Sequence, residues 1–452
     1  MDSKYRELLE EAQEYSEKYV EGVASMPAFP DEEGLSALDE FDEPMPEQST
    51  DAMEVIRRLE KAGSATVAQI GGRCFGFVNG SVLPAAHAAE WIADTWNQNG
   101  SLYVMSPAVS KIEDVCEKWI VDLFGLPEGT AMGLVTGSSN AIICALAAAR
   151  NEMYRRQGYD LSAEGFRNAP KIRVVAGEGA HSAVFAALSV LGIGKNEVEI
   201  VPDDECGRMK PECLPELDDK TILILQAGHV TGGHFDPFDE ICEKANKAGA
   251  WVHIDGAFGL WAAASEKQKH LTKGIDKADS FSVDAHKTLN AGYDCGIVLC
   301  RDRDALASAL QASGAYIEYG ENRDGMLYTT EMSRRGRALP LWAVLKQLGK
   351  SGVEQLIDQL CDNAEYFVRG LEAAGFTVPV PPCFNQGMVR CGTPEQTRAV
   401  LERIQHSGDC FCSGSQWDGV PVIRISVCSY ATTKEDIDRS IEVFKKALAE
   451  TV

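Results

Sequence analysis

Four polar positions fall where apolar runs end, and each carries a residue type that can do chemistry. Lys287 follows the run Ser280–Asp284, beside His286. A lysine just past a buried strand can bond covalently to a carbonyl compound, although a surface lysine at a strand end has the same spacing. Asp255 closes Trp251-Val252-His253-Ile254-Asp255 ahead of Gly256-Ala257. Its carboxylate could pair with a buried cation, hold a metal or cap a helix. Thr136-Gly137-Ser138-Ser139-Asn140 precedes an Ala-rich helical stretch from Ala141. Free N–H groups and hydroxyls at a helix start suit a phosphate, and a plain capped start looks the same. This turn has neither the dinucleotide glycine pattern nor a Walker A pattern, so nothing specific points to a nucleotide. His181, in Gly177-Glu178-Gly179-Ala180-His181-Ser182, again lies between a strand and a helix. It could stack on a planar ligand, act as an acid or base, or be structural.

Taken singly, each signal has an ordinary structural reading. Taken together, in this order and on successive strand ends, they describe a site for pyridoxal 5′-phosphate. That cofactor needs an anion site for its phosphate and an amine for its aldehyde. It also needs a carboxylate to keep its pyridine nitrogen protonated, so that the ring can act as an electron sink. A flat partner over one ring face helps as well.

The elements that must position these groups alternate. Apolar runs at Ile172–Ala176, Glu197–Val201, Thr221–Ala227, Trp251–Asp255, Ser280–Asp284 and Gly296–Leu299 are bounded by turn residues. Helical spacing covers Ile112–Phe124, Ala141–Arg150, Ser182–Leu191 and Pro237–Ala248. The alternation predicts an α/β fold with a mostly parallel sheet covered on both faces, where ligands bind beyond the carboxyl ends of the strands. Residues 301–335 look like a loop region with Tyr316, Tyr319 and Tyr328. Helix dominates from Ala338 to about Ala374, and the remainder suggests a small α+β domain. The expected organisation is an acidic N-terminal arm over 1–70, a cofactor-binding domain over 71–320, and a loop region with a small domain over 321–452.

The formal net charge is −25, but it is unevenly spread: residues 1–60 hold 18 acidic and 5 basic side chains. Bulk acidity argues against nucleic acid and anionic membrane as partners. No secretory signal or transmembrane stretch is visible. The 14 cysteines are scattered, mostly in apolar runs, and no C-x-x-C occurs. They read as buried, reduced thiols in a cytoplasmic protein, and no metal site is expected.

These motifs resemble the fold-type I pyridoxal-phosphate enzymes, and within them the group II amino-acid decarboxylases, which include aromatic amino-acid and glutamate decarboxylases. The resemblance runs from about Gly71 to about Ala449. It rests on Phe75-Gly76-Phe77, Ser106-Pro107-Ala108, the turn at 136–140, His181-Ser182 and Gly233-His234-Phe235-Asp236-Pro237. Its most specific parts are His253-Ile254-Asp255-Gly256-Ala257 and Asp284-Ala285-His286-Lys287. The resemblance implies a seven-stranded sheet sandwiched by helices, and a homodimer. It implies that Lys287 binds the cofactor aldehyde, Asp255 pairs with the ring nitrogen and His181 stacks on the ring. Ser138 and Ser139 would hold the phosphate, helped by His286, and Asp284 stands where relatives have Asn or Asp near it. Phe75, Phe77 and Tyr103 are candidate substrate contacts, and Arg424 could receive a carboxylate.

The chain departs from the family pattern in three places. Gly228-His229-Val230 replaces the usual Gly-Thr-Thr, which puts His229 beside the cofactor. The stretch Asn322–Tyr328 looks shorter than the family's mobile loop, with Tyr328 as candidate proton donor or simply a packing residue. The segment before about Asp51 has little family match. The implied activity is decarboxylation of a small L-amino acid, aromatic or apolar, to an amine and carbon dioxide. Other carbon–carbon lyase, elimination or transamination chemistry shares the same scaffold. A nicotinamide oxidoreductase would leave Asp255 and His286-Lys287 unexplained, and a non-catalytic regulator that kept the cofactor is a further alternative.

Overall fold

The computed structural model describes residues 3–311 and 319–451, so Tyr316 lies outside the described residues. The chain divides into two compact units, one formed by 82–362 with 382–385, the other by 1–81, 363–381 and 386–452. This grouping differs from the three-part expectation: the N-terminal segment belongs with the C-terminal sheet, and the long boundary falls within a helix rather than near residue 320.

The larger unit is built on seven strands. These are β1 (Ala131–Val135), β2 (Arg173–Gly177), β3 (Val198–Val201), β4 (Thr221–Gln226), β5 (Trp251–Asp255), β6 (Ser280–Asp284) and β7 (Gly296–Cys300). Their order is β1-β7-β6-β5-β4-β2-β3. Strands β3, β2, β4, β5 and β6 pair in parallel, whereas β7 runs against both β6 and β1. Strand β1 therefore points the same way as β6, and the carboxyl ends of β1, β2, β4, β5 and β6 share one rim. Strands β4 and β5 are buried along their whole length, as strands covered on both faces must be. The helix Ser138–Arg156 packs its Ala-rich face onto the sheet, with Ala141, Ala145 and Ala148 in the core. Among the described residues, no helix is long and apolar enough to cross a membrane.

Strand β1 was not expected from the sequence. Its run Ala-Met-Gly-Leu-Val has a single β-branched residue and a central glycine, a weak strand signal. Gly133 is required by packing, because a side chain there would overlap the Tyr328 carbonyl. As the sheet's edge, β1 should carry unpaired backbone groups. Side chains take them instead: Met132 N–H donates to Glu117 Oε2 at 2.8 Å, and Leu134 O accepts from Arg334 Nη1 at 3.1 Å. Arg323 donates to Met132 O. The same arginines pair with buried carboxylates, Arg334 with Glu113 at 2.7 Å and Arg323 with Glu117 at 2.6 Å. Burial pushes the Glu113 carboxyl up, but Arg334 and Arg323 outweigh it and hold it below the usual range. Removing one member of a buried ion network strands its partners' charge, at about 3–5 kcal/mol. Glu113→Ala should therefore lower unfolding stability by roughly that amount, read as a shift in urea midpoint; a shift of a few tenths would show that the network is solvated.

The smaller unit holds an antiparallel sheet in the order β8-β10-β9, from β8 (Gln386–Val389), β9 (Ser413–Trp417) and β10 (Val420–Ser426). Helices Pro394–His406 and Lys434–Ala449 belong to it, as does the acidic N-terminal segment. The latter forms a helix over Ser3–Gly22 and a short turn of helix over Glu32–Ser36 capped by Asp31. The acidic arm is thus partly helical. Buried Arg73 ties this segment down, donating to Ala24 O at 2.9 Å and Met26 O at 3.0 Å.

Candidate active site

The rim formed by β1, β2, β4, β5 and β6 gathers most of the expected site residues. Strand β6 delivers Asp284 at its last position, and the turn behind it carries His286 and Lys287. That turn is closed by Ala285 N–H to Cys295 O at 2.9 Å and by Thr288 Oγ1 to Phe258 O at 2.9 Å. Lys287 Nζ lies 2.8 Å from Asp284 Oδ2. The other oxygen, Oδ1, accepts from Ser138 N at 2.6 Å.

Ser138 opens the helix that follows β1; Gly137 at its N-cap has no side chain to cap it, and Asp284 Oδ1 takes the first amide, Ser138 N. The helix's amide end is directed at the rim, where the peptide dipoles favour an anion. The approach is close: a side chain on Gly296 would overlap the Gly137 backbone, and one on Gly137 would touch His286 Cε1 at 3.4 Å. His286 Nδ1 accepts from Cys295 N at 3.2 Å, so its ring hydrogen is on Nε2, which lies 3.6 Å from Asp284 Oδ2. The ring stacks on Tyr293 at 4.3 Å. Burial pushes the imidazole pKa of His286 down, against the pull of Asp284. Ser139 follows on the exposed side of the same turn.

Asp255 ends β5 buried, its Oδ1 accepting from Ser282 Oγ at 3.2 Å and from Ala257 N at 3.3 Å. Burial pushes its carboxyl up, while the charges of His181 and Lys287 pull it down. Asp255 is therefore a carboxylate that welcomes a cation. His181 caps the helix Ser182–Val190, its Nδ1 accepting from Ala183 N at 3.2 Å. The cap reading holds, and Asp255 lies within electrostatic reach of the ring. A cavity here is lined by Gly179, His181, Asp203, Gln226, Asp236 and Asp255.

His229, past the end of β4, is buried, and its Nδ1 accepts from Thr231 N at 3.1 Å and Gly232 N at 3.2 Å. The ring hydrogen is therefore on Nε2, facing Gly179 in the turn that carries His181; a side chain on Gly179 would come within 2.7 Å of it.

Two residues of this site escaped the sequence reading. Ser282 is the register partner of Asp255; the alternation Ser280-x-Ser282-x-Asp284 in an otherwise apolar strand was its signal. Asp203 accepts from Gly179 N at 2.7 Å, and nothing local marked it.

The substrate candidates divide. Phe75 has no exposed surface and packs edge-on against Phe367 at 4.9 Å. It is core, and the expectation that it lines a pocket is corrected. Phe77 is 58% exposed with a φ of +58°, a conformation costing about 1–2 kcal/mol for a residue with a Cβ. Two side chains hold it there: Phe77 N–H donates to Ser413 Oγ at 3.3 Å, and Phe77 O accepts from Arg424 Nη2 at 3.1 Å. Arg424 is buried, and its Nε–H has no acceptor among the described residues. Burial brings its pKa down to about 10. Tyr103 is partly exposed and positioned by its N–H donating to Asp324 Oδ1 at 2.7 Å.

Tyr328 is placed differently from a free proton donor. It is buried, its hydroxyl accepts from Arg303 Nη1 at 2.9 Å, and its ring lies under Arg303 and Arg323. That is a packing position in the network behind β1. Tyr328→Phe should lower turnover by less than about threefold, well short of the 10²–10⁴ expected for a lost general acid; a loss of that larger size in single-turnover kinetics would restore the catalytic assignment.

The pyridoxal-dependent decarboxylase conserved domain matches residues 37–382. Tryptophan decarboxylase 1 of Oryza sativa is 25% identical over 490 residues, covering 98% of this chain and 94% of its own. The 4-hydroxyphenylacetaldehyde synthase of Rhodiola rosea is 27% identical, covering 75% of this chain and 73% of its own. Among solved structures, Oryza sativa TDC with PLP and tryptamine superposes with a TM-score of 0.90 at 22% identity, covering 100% of this chain and 98% of that one. Fold and rim thus define a pyridoxal-phosphate enzyme of fold type I. The chain belongs to the pyridoxal-dependent decarboxylase family, and is an amino-acid decarboxylase with pyridoxal phosphate as cofactor.

The residues present fit that cofactor. There is one amine at the rim for an aldehyde, a helix amide end for a phosphate, a buried carboxylate for a ring nitrogen, and an imidazole fixed by its cap. The cradle admits no side chain at Gly296, where a Cβ would overlap the Gly137 backbone.

Proposed function

We propose that the substrate is an L-amino acid with an aromatic side chain, released as the amine with loss of carbon dioxide. The observation that carries the site assignment is the convergence of Lys287, Asp284, Ser138 and His286 at one end of the rim, with Asp255 and His181 facing each other beside it. The aromatic choice rests on the substrate named for the rice relative.

Bound pyridoxal phosphate supplies a conjugated cationic ring that takes up the electron pair left by the departing carboxylate. The chain's residues do the rest. Lys287 Nζ is the nucleophile for the aldehyde. Ser138 and Ser139 offer amide and hydroxyl donors to the phosphate, joined by the Nε2–H of His286. Asp255, held by Ser282 and Ala257, keeps a proton on the ring nitrogen, and His181 covers the ring face. His229 braces the His181 turn from behind. Arg424, with an unaccepted buried N–H, is our candidate for a substrate carboxylate. We further propose a homodimer: Trp91, Ile92, Trp96, Val104 and Met105 leave large apolar surface exposed on the larger unit, and a monomer in sedimentation would overturn this. The 14 cysteines, all free thiols, accord with our proposal of a cytoplasmic location.

The test is a screen of aromatic, aliphatic and acidic L-amino acids with the purified protein and pyridoxal phosphate, following amine and carbon dioxide together. Amine from an aromatic substrate supports the reading; amine only from an acidic one defeats its substrate half.

A further inference from the structure

We propose that Asp284 sets how tightly and how fast the cofactor is captured, because one carboxylate holds both the Ser138 amide of the phosphate cradle and the amine of Lys287. The inference rests on the site assignment above and goes beyond it, since that assignment gives Asp284 no task of its own.

The geometry is specific. Asp284 is 1% exposed. Its Oδ1 accepts from Ser138 N at 2.6 Å, and its Oδ2 lies 2.8 Å from Lys287 Nζ and 3.6 Å from His286 Nε2. Two donors of the cradle, Ser138 N–H and His286 Nε2–H, are thus already near a negative charge. A phosphate monoester brings about −1.5 to −2 more at neutral pH. Two anions sharing one amide helix end in a poorly solvated place repel strongly. No arginine pairs with Asp284 among the described contacts; its cationic partner is Lys287, with His286 near.

Lys287 must also leave this pairing to react. To hold the cofactor, its Nζ would add to the aldehyde carbon, and the aldehyde oxygen would leave as water with the two amine protons as the C=N bond forms. An amine held 2.8 Å from a carboxylate must break that contact before it can reach an aldehyde. Asparagine at 284 would keep the shape and an oxygen for the Ser138 N–H, and would carry no charge. Both consequences of the charge therefore push the same way: Asp284 slows capture and weakens it. Asp284 acts through Ser138 and Lys287 and is a positioning residue.

The experiment uses the full chain freed of cofactor, as wild type, Asp284→Asn and Asp284→Ser. Inorganic phosphate binding is measured by calorimetry, and cofactor capture by the rate and half-saturation of the visible band on adding pyridoxal phosphate. We expect Asp284→Asn to bind phosphate roughly tenfold tighter and to develop the band severalfold faster. Asp284→Ser should change in the same direction, which guards against a folding defect in one variant. A purely structural role cannot produce these gains, since a damaged site does not bind more tightly. Unchanged or weaker phosphate binding in both variants, with a normal wild-type band, overturns the proposal and leaves the site assignment standing. Absence of the band in wild type defeats the site assignment itself.

Discussion

Replacing Lys287 with alanine abolishes the visible absorption of the bound cofactor and lowers turnover by on the order of 10⁴-fold or more, the scale seen when a sole covalent nucleophile is removed. The amine sits on a turn fixed by hydrogen bonds from both sides, and its neighbours in that turn, His286 and Thr288, engage Cys295 and Phe258. No second amine takes its place in the described site. The fold should survive, because Lys287 is partly exposed and Asp284, with which it forms an ion pair, keeps its bond to Ser138. Absorption spectra with added cofactor and single-turnover assays check this; a variant that keeps both colour and turnover removes Lys287 from the mechanism.

Asp255→Asn is expected to separate colour from catalysis. The amide is isosteric and can still meet Ser282, so the cofactor stays attached and coloured. What disappears is a negative charge in a buried place, where it stabilises a proton on the ring nitrogen. Losing one such preorganised electrostatic partner costs about 10²–10³ in kcat, with KM nearly unchanged, because the interaction grows as the carboxylate leaves. The ordinary carboxylate reading, a helix cap, predicts instead a loss of stability with kcat intact.

These residues were legible because each terminates an apolar run, and a buried strand that ends in a charged residue has few purely structural reasons to do so. Lys287 and Asp255 fall on one rim from the sequence alone, since parallel strands send their carboxyl ends the same way. The parts that were not legible depend on distance in sequence. Arg334 and Glu113 lie 221 positions apart, and no local pattern couples them. Tyr328 looked like a loop residue because it stands among glycines and charges; it is buried because those charges pair with one another around it. Strand β1 was missed for the related reason that its edge is satisfied by side chains, so its sequence need not look like a strand that joins others on both sides. Phe75 and Phe77 are two positions apart and have opposite fates, one in the core and one held out by Ser413 and Arg424, which only the small sheet's register decides.

The occupied edge of β1 also limits how copies of this chain can associate. A second polypeptide seeking to extend the sheet there would have to evict Glu117, Arg323 and Arg334 from the backbone of Met132 and Leu134, and part their ion pairs while doing so. Sheet continuation across this border is closed. At this border an approaching chain meets side chains only, and misfolded neighbours find no template there on which to grow.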